Sequence, residues 1–143
     1  MLNETFFTSL MLIFIIGLVF PITNTKNICE EYKKYNYDLS DYLPNVNGLG
    51  EVYLSKEDLN NAYVKLYFYT SMYQVVYQIE FNKNSIKGFA EKISYAEPYA
   101  IETAQKSILE EFECEKSKIA SLNKTLQKYV NLAIDLLDES VSE

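Results

Sequence analysis

Apolar residues recur along this chain at helical spacing, most persistently toward its C-terminal end. Ile101, Ile108, Phe112, Ile119, Leu122, Leu126, Tyr129, Ala133 and Leu136 keep three- and four-residue steps from Ile119 onward, which draws a seam along one helical face. The stretch holds no glycine and no proline after Pro98, so the pattern predicts one long helix over 98–139. Near the other end, Ile28, Tyr32, Tyr35, Leu39 and Tyr42 or Leu43 are separated by charged residues and predict a short amphipathic helix over 27–43. Asn27 and Glu30 have the spacing of a capping box at its start, and Pro44 ends it. The run Pro44 to Gly50, rich in glycine and asparagine, reads as a loop.

Between these segments the apolar positions Leu59, Ala62, Leu66, Tyr69, Tyr73, Val76 and Ile79, then Ile86, Phe89 or Ala90, and Ile93, predict a second helical arm over 56–95, broken near Asn82 to Ser85. A strand reading competes here, because Tyr77 to Phe81 alternates with period two and Tyr, Val, Ile and Phe are frequent. The helix is preferred on two grounds. Asn61, Lys65, Gln74 and Gln78 fall mostly on one helical face, and no two-residue hairpin turn separates the candidate strands. The expectation is an all-α fold, a small helical bundle built on a long helical hairpin with a short N-terminal helix. Its expected core is Leu66, Tyr69, Tyr73, Val76, Ile108, Phe112, Ile119, Leu122 and Leu126.

The first residues change the picture of where this domain begins. Phe6 to Phe20 is an almost unbroken apolar run, followed by Pro21 and by Thr23-Asn24-Thr25, and it reads as an export signal over 1–25 cut before Lys26. No basic residue precedes the run, so an uncleaved membrane anchor is the competing reading. The signal reading leaves a single helical domain over 26–143 and an extracellular, secreted protein. In that compartment the two cysteines, Cys29 and Cys114, are expected to pair and pin the short helix to the long one.

Charge and missing residue types prune the functions. With Glu4 gone with the leader, 13 lysines face 19 acids, and the chain has no Arg, His or Trp. The sign of the field and the lack of arginine forks argue against nucleic acid. Without histidine there is no common general base or zinc ligand, and Gly48 and Gly50 lack the spacing of a phosphate loop. No cofactor is implied, and the protein is read as non-enzymatic. Glu110, Glu111, Glu113 and Glu115 point in different directions around a helix and are read as a solvated face rather than a cation site. Among thirteen tyrosines, Tyr69 and Tyr73 fall on the expected seam, and with Val76 and Phe112 they are the candidate lining of a cavity for a small apolar ligand or lipid. Asn123-Lys124-Thr125 is a glycosylation sequon, making Asn123 a candidate modification site. The function expected is a protein-interaction or inhibitor module with an unidentified protein partner, and the alternative is a carrier of a small apolar ligand between helices.

Overall fold

The computed structural model describes residues 31–58 and 60–143. They do not form a helical bundle. Six strands, β1 (Tyr32–Asp38), β2 (Gly48–Ser55), β3 (Ala62–Tyr69), β4 (Tyr73–Phe81), β5 (Ser85–Ser94) and β6 (Gln105–Glu115), pair each with the next in an antiparallel sheet of order β1 to β6. One helix, α1 (Lys124–Ser142), follows. The all-α expectation is therefore corrected, and of the long helix expected over 98–139 only the part from Lys124 exists.

The second helical arm fails for a local reason. Asn82-Lys83-Asn84, read as a helix break, is the connection of a β-hairpin in which the Asn82 N–H donates to the Ser85 carbonyl at 2.9 Å. Thr70-Ser71-Met72 does the same between β3 and β4, where the Thr70 N–H donates to the Tyr73 carbonyl at 2.8 Å and the Thr70 Oγ1 accepts the Tyr73 N–H at 3.0 Å. Three-residue connections also make hairpins, next in frequency after the two-residue turns whose absence favoured a helix. Once the strands pair, register alternates their side chains. Ala62, Val64, Leu66 and Phe68 stand opposite Phe81, Ile79, Tyr77 and Val75 on one face, and Tyr63, Lys65 and Tyr67 stand opposite Glu80, Gln78 and Val76 on the other.

The apolar face is buried by α1. Val52, Val64, Leu66, Ile79 and Ile86 of the sheet are fully buried together with Val130, Ala133 and Leu136 of the helix. The Asn123 Oδ1 caps the helix by accepting the Leu126 N–H at 2.9 Å, which satisfies one of its unpaired N-terminal donors. Tyr129 then sits between Phe68 and Tyr77, with ring centroids 4.8 and 4.5 Å away, and such aromatic pairs add about 0.5–1.5 kcal/mol each beyond the area they bury. At the far end of α1 the Tyr37 hydroxyl donates to Ser140 Oγ, which in turn donates to the Leu136 carbonyl at 2.8 Å. Ser140 is thereby buried with both of its roles filled.

Of the expected core, Leu66, Val76 and Leu126 are buried, Phe112, Ile119 and Leu122 are half-buried against the core, and Ile108, Tyr69 and Tyr73 are exposed. The disulfide is corrected as well. Cys114 is a free thiol on β6, facing Ile86, and burial pushes its pKa up. Cys29 and the leader over 1–25 lie outside the described residues, so the bridge no longer lends support to export. No helix among the described residues is long and apolar enough to cross a membrane.

Two glycines permit close approaches, Gly50 between sheet and helix and Gly88 between neighbouring strands. A Cβ at Gly50 would approach Leu136 Cδ1 at 2.8 Å and Leu39 Cδ2 at 3.1 Å, whereas one at Gly88 would run into the Gln78 carbonyl oxygen and the Phe112 ring. Flexible side-chain ends can yield and a paired backbone carbonyl cannot. Gly88→Ala is therefore expected to destabilise by about 1–3 kcal/mol and more than Gly50→Ala. Urea unfolding of the two variants measures this, and the opposite order would mean that the β4–β5 pairing at Gly88 is looser than the structure has it.

Candidate interaction surface

The second face of the sheet is covered by no described element, and on β1 to β3 it is built from tyrosines. Tyr53 and Tyr63 face each other across the β2–β3 pairing and stack with centroids 4.3 Å apart, while Tyr32 meets Tyr63 edge-on at 5.1 Å. Tyr67 and Tyr69, two residues apart on β3 and hence on one face, keep nearly parallel rings at 6.2 Å. Glu51 anchors the group. Its carboxylate accepts the Tyr53 hydroxyl at 2.6 Å and the Tyr67 hydroxyl at 3.4 Å, and pairs with the Lys34 ammonium at 3.2 Å. Lys65 lies over both Tyr53 and Tyr63, at 5.8 and 5.9 Å from their centroids.

The electrostatics follow from that packing. Burial acts to raise the Glu51 pKa, but the Tyr53 hydroxyl and the Lys34 ammonium outweigh it and hold the carboxyl below its ordinary range. Burial and the Glu51 charge push Tyr67 up to about 12 and raise Tyr53 as well. The cluster is thus a neutral aromatic platform around one ionised carboxylate.

The other end of the same sheet is different in kind. Two loops meet there, since the Tyr95 N–H donates to the Met72 carbonyl at 2.9 Å and the Tyr99 N–H to the Ser71 carbonyl at 2.8 Å. Tyr99 has φ of 60°, in the left-handed region that a bulky residue seldom adopts, and is 75% exposed. Ile101 beside it is 72% exposed, and Ile108 and Leu109 on β6 are 55% and 53% exposed. Single exposed apolar residues are ordinary on a protein surface, and four large ones on and just before one edge strand make this side the candidate contact. Beyond Leu109, which is the extra residue of a β-bulge opposite Ala90 and Glu91, β6 becomes acidic. Glu111 and Glu113 then line a groove of about 410 Å³ on the uncovered face, together with Gln78, Glu80, Lys87 and Phe89. Lys87 is paired with Glu80 at 3.4 Å, and no ion pair joins Glu111 or Glu113 to another described residue.

The structure does not gather the candidate ligand-lining residues. Tyr69 and Val76 share the uncovered face, Tyr73 is exposed on the helix-facing side at the sheet's end with Lys92 4.3 Å from its ring centroid, and Phe112 packs against the core while bordering the groove. The cavity between helices that they were to line goes with the helical fold. Asn123 is exposed, and its amide group donates to Glu110 Oε1 at 2.7 Å while its oxygen caps α1. The acids from Glu110 to Glu115 do not diverge as expected: strand alternation sets Glu111, Glu113 and Glu115 on one face of β6 and only Glu110 on the other. Sequence reasoning missed the β6 surface, although the alternation Glu111-Phe112-Glu113-Cys114-Glu115 was there to be read. Comparison with protein-family models, with characterised proteins and with solved structures returns no match for this chain.

The tyrosine cluster makes stability depend on pH at both extremes. A tyrosine whose folded pKa is raised to about 12 contributes stability that is intact below about pH 10, its unfolded value, and is lost as pH rises toward 12. Glu51, whose pKa is lowered, contributes stability that is intact above the ordinary carboxylate range and is lost as pH falls through its own depressed value. In Glu51→Gln, tyrosinate absorbance should appear at lower pH than in the parent, yet still above the ordinary tyrosine value, because burial is the larger cause. An unchanged titration would remove Glu51 from the role given to it.

Proposed function

We propose that this protein is a non-enzymatic interaction module that holds a partner protein along the β6 side of its sheet. The observation that carries this reading is the exposure of four large apolar side chains on this side, Tyr99 and Ile101 in the segment before β6 and Ile108 and Leu109 on the edge strand itself. Large apolar groups kept in water cost free energy in the monomer, and contact with a partner recovers it. Aromatic anchors such as Tyr99 are the side chains on which interface energy concentrates. The backbone at Tyr99 is held in its unfavourable region by the hydrogen bond to Ser71, so the ring is presented rather than folded back. Recognition by exposed helix faces is replaced by recognition through a sheet. The carboxylates of the neighbouring groove favour a cationic group over an apolar small molecule, so the carrier reading is not taken further.

A photoreactive residue at position 101 tests the proposal in extracts of the source. It should give discrete protein adducts, and the same residue at position 128, on the exposed flank of α1, should not. Equal labelling from both positions, or none from position 101, would overturn the β6 side as the contact.

A further inference from the structure

We infer that β6 receives a basic, extended segment of the partner as a seventh strand, a conclusion that rests on the interaction reading above and names its chemistry. The edge carries the argument. β6 pairs with β5 on one side only, no described strand pairs with its other edge, and so a row of backbone donors and acceptors is left for water or another chain. The bulge at Leu109 divides the edge into two regular stretches, Gln105–Ile108 and the longer Glu110–Glu115.

Side chains then select the occupant. β6 carries four glutamates against the single Lys106, so a second copy laid antiparallel on the same edge would bring carboxylates against carboxylates. A strand bearing lysine or arginine turns that repulsion into attraction. On the uncovered face its basic residues fall beside Glu111, Glu113 and Glu115, the first two opening onto the acidic groove. On the opposite face its neighbours are Phe112 and Cys114, both half-buried, which suits apolar residues, with Glu110 beyond them already bonded to the Asn123 amide. Strand alternation therefore translates into a partner sequence of alternating basic and apolar residues, ending near Leu109 and Ile108 where contact becomes apolar. Glu115 is already paired with Lys118 at 3.8 Å, so Glu111 and Glu113 carry most of the selection.

A synthetic peptide about as long as β6, alternating lysine and valine, should bind the full chain, lose affinity as salt is raised, and slow hydrogen exchange of the β6 amides. Methylating the amides on one edge of the peptide should weaken binding by about tenfold or more on the pairing edge and leave it unchanged on the other. The double variant Glu111→Lys, Glu113→Lys should weaken binding by about tenfold or more, while Glu57→Lys in the β2–β3 loop should not. Indifference to methylation on either edge, or to the charge reversal, overturns strand addition. A peptide that fails while cross-linking from position 101 persists overturns this partner chemistry and leaves the interaction reading standing; failure of both removes both.

Discussion

Everything in this structure depends on one burial event, the covering of the sheet's apolar face by α1. An open six-stranded sheet has one face too apolar for water, and a single helix is the only described element long enough to close it. The match is specific. Val130, Ala133 and Leu136 lie over Val52, Val64, Leu66 and Ile79, while Leu39, at the end of β1, fills the space above Gly48 and Gly50. Polar groups lock the angle of the helix, with Asn123 capping one end and Tyr37 bonding Ser140 at the other. Remove the helix and the inner faces of β2 to β4 return to water together, because they form one cluster.

That arrangement dictates what remains for function. α1 reaches β2, β3 and β4 and leaves the opposite face of the sheet and the outer edge of β6 uncovered by described residues. The chain treats its two uncovered regions differently. On β1 to β3 it fills the surface with packed tyrosines, of which Tyr53 and Tyr67 give their hydroxyls to Glu51 while the rings shield one another. On β6 it leaves isoleucine and leucine in solvent, then carboxylates. The Tyr53 and Tyr67 hydroxyls of the first region are satisfied within it, whereas no ion pair joins Glu111 or Glu113 of the second to a described residue, and that contrast supports the proposal of β6 over the more conspicuous tyrosine cluster.

The misreading of the fold has a single geometric source. Residues four apart lie on one face in a helix and also in a strand, so steps such as Ala62 to Leu66 and Ile86 to Ala90 fit both periods. What separates the two is the residue midway. Val64 is apolar and fully buried between Ala62 and Leu66, as only a strand allows. Gly88 sits between Ile86 and Ala90, where a helix would be weakened but a closely paired strand needs the missing Cβ. On β6 the same rule applies to Glu111 through Glu115, whose period-two alternation was overridden by the apolar spacing of α1 further along the chain.

The sequence by itself determined the C-terminal helix from Leu126 to Leu136, the first four residues of the loop read over Pro44 to Gly50, whose last three open β2 instead, the acidic balance, and the break at Asn82 to Ser85, because each rests on local chemistry: a seam, turn residues, a count of charges. Tertiary structure decided the rest. Whether Tyr, Val and Ile at ambiguous spacing become strand or helix depends on cross-strand partners, and those lie a hairpin away, beyond any window of periodicity. The same long-range pairing placed Cys114 on a sheet rather than a helix flank, set Tyr69 and Tyr73 on opposite faces, and left β6 at an edge. An edge is a property of strand order, and no stretch of sequence carries it alone.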